Sequence, residues 1–119
     1  MVKVGEFRWG SIEVGGKKYH SDIVILPDGT VQNRVGIFGS LLAHTVKKEE
    51  IERLEKTGAR LIIIGTGSSG KAHISPEAKR YAEEAKLELA ALPTLEAKDK
   101  LNQLIEQGQQ VAALLHITC

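Results

Sequence analysis

The feature that most constrains this chain is Val111-Ala112-Ala113-Leu114-Leu115, a strand-length run apolar at every position. A strand with one wet face alternates apolar and polar residues, so an unbroken run implies cover on both faces by other layers. Leu61-Ile62-Ile63-Ile64 has the same character, and Leu87–Leu92 supplies a third β-like segment. Helix-period segments separate them. From Arg60 onward the order is strand, helix, strand, helix, strand, which implies βαβ units and a largely parallel sheet.

The intervening helices carry their own boundary marks. Ser75-Pro76-Glu77 reads as an N-cap, a proline at the first helical position and an acid in the first turn. The helix expected over Pro76–Lys86 places Ala78, Tyr81, Ala82 and Ala85 on one stripe. Thr94 is expected to cap a helix over Leu95–Gln107, with Ala97, Leu101, Leu104 and Ile105 inward and Gly108 past its end. An earlier helix is expected over Val46–Lys56, capped by Thr45 and ended by Gly58, with Ile51 and Leu54 facing inward.

The N-terminal third reads as β structure. Phe7–Val14 and Lys18–Leu26 flank Gly15-Gly16-Lys17, a hairpin signal. The apolar phase slips between Phe7/Trp9 and Ile12/Val14, which predicts a bulge at Gly10-Ser11. Trp9 reads as a packing residue. Pro27-Asp28-Gly29 is a turn, with a short return strand over Thr30–Val35. Val35–His44 has no period and reads as a loop. The fold class is therefore α/β: a layered single domain, residues 1–119, with a mixed central sheet, an N-terminal β-hairpin and βαβαβ units. At 119 residues the chain has enough material for a core without staples.

Composition narrows the function. The 16 Lys plus Arg balance 15 Asp plus Glu, and aromatics are 4%. That leaves neither an electrostatic footprint nor a stacking platform for nucleic acid. Apolar runs of about five residues fall far short of a membrane span. Residues Met1–Glu6 contain no signal-peptide core and no Arg/Ser-rich presequence pattern. The single cysteine, Cys119, excludes an internal disulfide and fits a reducing, cytoplasmic setting.

Gly65-Thr66-Gly67-Ser68-Ser69-Gly70-Lys71-Ala72 contains G-x-G-x-x-G and most of a phosphate-loop motif. Ala72 stands where the phosphate loop needs a hydroxyl for Mg²⁺, and a helix opened by Ser75 starts about five residues too late. The dinucleotide motif needs its third glycine inside the helix and an acid ending the next strand; Gly70 lies before the helix, and Glu88 begins its strand. The loop is retained as a ligand or partner site without written chemistry, the candidate residues being Gly65, Thr66, Gly67, Ser68, Ser69 and Lys71, with His44 nearby. His116 and Cys119 form H-x-x-C, but His20, His44 and His73 belong to separate elements, so no metal and no cofactor is expected. No acid, base and nucleophile converge in the sequence, and no catalytic residue is assigned.

One resemblance covers nearly the whole chain, from Phe7 to Cys119. It is carried by Arg8-Trp9-Gly10, Ser21-Asp22-Ile23-Val24-Ile25, Pro27-Asp28-Gly29, Ile63-Ile64-Gly65-Thr66-Gly67 and Leu92-Pro93-Thr94. The most specific part is a helix containing Asn102, followed by Gly108 through His116-Ile117-Thr118-Cys119. With these the chain resembles a family of small domains of unknown function defined by an archaeal hypothetical protein. A mitochondrial complex I assembly factor and a cytosolic adipogenesis-associated protein also belong to that family. The resemblance implies a layered α/β domain with a mixed sheet, assembly or adaptor roles, and no established catalytic residues. The chain differs from the family pattern over Val35–Ala43, which has fewer charges, and at Leu101, a place often held by tyrosine.

Two functions follow as expectations. The preferred one is an uncharacterised, non-enzymatic binding or assembly module with a protein partner. The alternative is a small-molecule or anion-binding protein, or an enzyme, using the loop 65–71. Self-association is compatible with both.

Overall fold

Parallel strands need covered faces, and the chain covers them by alternating strands with helices whose apolar stripes point inward. The computed structural model describes residues 2–34 and 44–119. The loop expected over Val35–His44 lies, apart from His44, outside the described residues.

The main sheet has the order β5-β4-β10-β7-β9. It is built from β4 (Ile23–Ile25), β5 (Val31–Asn33), β7 (Leu61–Thr66), β9 (Glu88–Leu92) and β10 (Val111–His116). Strands β10, β7 and β9 run parallel, with Val111 opposite Leu61 and Leu61 opposite Glu88. Strand β4 joins β10 antiparallel, Leu114 opposite Val24, and β5 returns antiparallel beside β4. The sheet is therefore mixed.

Side-chain alternation divides the core. Val111, Ala113 and Leu115 of β10, with Ile63, Ile23 and Ile25, pack on α3 (Thr94–Glu106) through Ala97 and Leu101. Ala112 and Leu114, with Ile62 and Ile64, pack on the opposite face. There they meet Ile51 and Leu54 of α1 (Lys48–Glu55) and Ala78 and Ala82 of α2 (Pro76–Glu84). The Tyr81 hydroxyl donates to the Glu55 carboxylate, tying α2 to α1, and this bond pushes the Tyr81 phenol up to about 12. Ser75 caps α2 by accepting from the Ala78 amide at 3.1 Å.

The N-terminal region departs from the sequence reading. Phe7–Val14 is not one bulged strand. It comprises β1 (Val4–Arg8) and β2 (Ser11–Val14), joined by a tight turn at Trp9-Gly10. The bulge exists, but between Val4 and Phe7. Lys18–Leu26 likewise divides between β3 (Lys17–Tyr19) and β4, which belong to different sheets. Strands β1-β2-β3 form a separate sheet, so the mixed character of the main sheet comes from β4 and β5. The small sheet adds Val4, Ile12 and Val14 to the core on the α3 side. Asn102 of α3 fastens it, accepting from the Val4 amide and donating to the Val4 carbonyl, both at 2.8 Å.

Two expected caps are also corrected. Thr45 is not an N-cap: Thr45–Val46 forms β6, paired parallel with β8 (His73–Ile74), and α1 starts three residues on at Lys48. Thr94 is the first residue of α3 rather than its cap, which falls to Pro93. Both hydroxy residues fit a cap by local pattern, and tertiary partners claim them instead.

Leu114 is fully buried in the strand that both helical layers share. Leu114→Ala should lower the unfolding free energy by about 2–5 kcal/mol, measured by chemical denaturation.

Candidate functional site

The distinctive chemistry lies at the carboxyl ends of β7 and β10. Gly65 and Thr66 end β7, so the strand runs two residues further than Leu61–Ile64. Gly65 is a glycine because a Cβ there would lie 2.8 Å from Thr94 Oγ1 and 3.0 Å from Leu115 Cδ2. Gly67 takes φ +103°, and a Cβ on it would meet the Cys119 carbonyl carbon at 2.4 Å. The segment after β10 thus lies directly on the glycine turn. It is held by Ser68 N–H donating to Thr118 O at 2.7 Å and Lys71 N–H donating to Cys119 O at 2.9 Å.

Thr94 closes the corner from beneath. Its hydroxyl accepts from the Gly67 amide at 2.8 Å and donates to the His116 carbonyl at 2.6 Å, while its own amide donates to Gly67 O at 3.1 Å. The residue is fully buried. One side chain therefore joins the ends of β7 and β10 to the start of α3.

A polar network lies beside this corner. Asp22, just before β4, accepts from the Ile117 amide at 2.9 Å and faces His116 Nδ1 at 2.8 Å. The His116 ring is 1% exposed. The Asp22 carboxylate accepts from Nδ1–H, and Nε2 lies 3.2 Å from Thr118 Oγ1. Arg34 bridges outward, donating to Asp22 at 3.0 Å, to both Glu50 oxygens at 2.9 and 3.0 Å, and to Thr45 O at 2.8 Å. Burial alone pushes the Asp22 carboxyl up. The hydrogen bonds from His116 and the Ile117 amide, with the charges of His116 and Arg34, outweigh it and hold Asp22 below its ordinary value.

The candidates from the sequence fall into two groups. Gly65, Thr66 and Gly67 are buried and structural in their contacts; Ser68, Ser69 and Lys71 are exposed on the turn. The exposed His44 sets its ring edge-on to His116 at 5.1 Å between centroids, and its carbonyl accepts from His73 N–H at 2.8 Å. Helix α2 begins at Pro76, beyond the glycines; the helix that starts against the turn is α3, whose Thr94 amide and hydroxyl both bond to Gly67. Cys119 is a free thiol and half-exposed.

Arg34 and Glu50 were not singled out in the sequence, Asp22 stood there only within the family resemblance, Thr94 there and as an expected cap, and the pairing of His116 was missed. One signal was present: Asp22 and His116 are the polar residues bordering the apolar runs Ile23–Ile25 and Val111–Leu115. Their 94-residue separation concealed the match. Trp9 also differs from expectation: it is 65% exposed at the β1–β2 turn, not packed.

Two outcomes follow. Thr94→Val should cost about 1–3 kcal/mol for each of the two buried backbone groups it orphans, whereas Thr94→Ser should recover most of the loss in the same denaturation assay. Asp22 has a lowered folded value, so its contribution is present above the ordinary carboxylate range near pH ~3.9 and is lost as pH falls through the folded value. Asp22→Asn should therefore be less stable at neutral pH and flatten the acid limb of a stability–pH profile.

The protein-family comparison matches a model described as a protein of unknown function (DUF498/DUF598) over residues 4–116. Among solved structures, the protein MT938 is 30% identical with a TM-score of 0.84, each chain covered in full. The conserved hypothetical protein PH1505 from Pyrococcus horikoshii OT3 is also 30% identical, with a TM-score of 0.81 over 98% of this chain and 99% of that one. An outer membrane protein from Bartonella henselae, 18% identical, has a TM-score of 0.80 over 99% of this chain and 96% of that one, and shares the fold. No described helix is long and apolar enough to cross a membrane. With the matched model spanning all three described sheets and all three described helices, this chain belongs to the DUF498/DUF598 family of unknown function.

Proposed function

We infer that this domain is a non-enzymatic binding or assembly module that engages another protein through the end of the sheet where β7 and β10 finish. One observation carries the reading. Trp9 and Leu95, the large apolar side chains exposed among the described residues at 65% and 56%, both flank that end. Each stands one residue from an anchor on the same stretch: Gly10 N–H donates to Ile117 O at 2.7 Å, and Thr94 Oγ1 donates to His116 O at 2.6 Å. Large apolar groups exposed at one end of a domain suit a partner surface, and tryptophan is enriched among residues that dominate binding energy. Ser68, Ser69 and Lys71 add exposed polar groups to the same end.

The loop itself supports a second reading, a small-molecule or anion site over residues 65–71, because open α/β sheets hold ligands at strand carboxyl ends. The first is preferred because the amides of Gly67, Ser68 and Lys71, which would cradle an anion, already donate to Thr94, Thr118 and Cys119. The single cysteine, with no disulfide within the chain, supports a reducing, cytoplasmic location.

The test is photo-crosslinking in cells from position 9, with position 109, at the opposite end of β10, as the control. A reproducible protein adduct from position 9 alone is expected. Trp9→Ala and Leu95→Glu should each weaken that partner by about 30-fold or more, the equivalent of ~2 kcal/mol, without loss of fold. Equal labelling from both positions overturns the reading. A thermal shift with nucleotides, phosphates or carboxylates, worth ~2.7 kcal/mol at 100 times Kd, would favour the second reading instead.

A further inference from the structure

The two edges of the main sheet differ. Strand β5 ends in Gln32-Asn33, both exposed, while β9 reads Glu88-Leu89-Ala90-Ala91-Leu92 without proline, lysine or bulge. Edge strands are ordinarily blunted by such devices, because their unpaired N–H and C=O groups template another strand.

We propose that β9 pairs antiparallel with β9 of a second copy of this chain, about a two-fold axis at Ala90. The register follows from the existing ladder. Glu88 N–H donates to Arg60 O at 2.9 Å, and β9 pairs with β7 in parallel register. Backbone direction alternates along a strand, so Glu88, Ala90 and Leu92 turn their polar groups to β7, whereas Leu89 and Ala91 turn theirs outward. A two-fold at Ala90 sets Leu89 opposite Ala91 of the second copy, and Ala91 opposite its Leu89. Both are positions where N–H···O bonds are exchanged in each direction. Ala90 meets its own copy at a non-hydrogen-bonded position, where Cα atoms approach to about 4.5 Å and a methyl side chain fits.

The boundaries agree with this length. The Leu87 amide is already taken by Ala82 O at 2.8 Å, and Pro93 has no N–H to offer. Side chains match as well: Leu89 lies beside Ala91 of the second copy, large against small. A groove of about 620 Å³ between α2 and β9, with Leu87 and Leu89 in its lining, gives the added strand room. The groove is flanked by Lys79, Arg80 and Glu83, all exposed. Both signs on one flank let a two-fold copy bring Glu83 of each protomer toward the basic pair Lys79 and Arg80 of the other.

Sedimentation velocity from low to high micromolar concentration should show a monomer–dimer equilibrium. Ala91→Pro removes an outward N–H and spares the β7 ladder, so it should remain folded and monomeric. Leu89→Lys, which charges the same edge, should act alike and serves if the proline variant fails to fold. In a Cys119→Ser background, Ala90→Cys should form a disulfide-linked dimer on mild oxidation, and Leu92→Cys, which would face Glu88 of the other copy, should not. A monomer at every concentration overturns the proposal. So does a dimer untouched by the edge variants, or cross-linking through Leu92→Cys as readily as through Ala90→Cys.

Discussion

The Thr94 hydroxyl is the contact on which this end of the molecule depends. It accepts from Gly67 and donates to His116, so it holds together two parallel strands and the helix that follows β9. Because the site is sealed from water, neither backbone group has a substitute partner, and the bonds persist as a unit. The position of the turn 65–71, and of residues 117–119 lying on it, follows from that anchor.

The Asp22 network reinforces the same corner from the other side. A partly buried carboxylate is costly alone, and here it is surrounded by the Ile117 amide, His116 and Arg34. Arg34 carries the connection to Glu50 of α1 and to the backbone of β6. Every buried side-chain N or O among the described residues has a hydrogen-bond partner. Such an arrangement selects one alignment of β4, β10 and α1, since a shifted register would strand a charge in the core. For the proposed binding role, Trp9 and Leu95 hang from a framework already held in place, which lowers the ordering cost that association carries.

The family resemblance and the fold agree with each other, and neither carries an activity. A fold hosts many functions, so the argument for function has to come from residues at a site. What those residues offer is an apolar end with polar groups between its anchors, and a strand edge whose pattern matches its own reverse. In the turn, the amides of Gly67, Ser68, Gly70 and Lys71 bond within the chain.

Sequence by itself determined the features that one element decides alone. The unbroken apolar runs specify strands covered on both faces, the Ala78–Ala85 and Ala97–Ile105 stripes specify which helix faces turn inward, and Ser75-Pro76 specifies where α2 opens. Each depends on spacing within a few turns or residues of chain. Tertiary structure decided the rest. Thr45 and Thr94 look like caps locally, yet one joins a strand and the other anchors two. Trp9 looks like core and stands at a turn. The Asp22–His116 pair needs β4 set antiparallel against β10, and no local pattern encodes which strand lies beside which. Hydrophobic periodicity acts within an element, whereas a buried polar group takes whatever complementary partner the assembled topology brings to it.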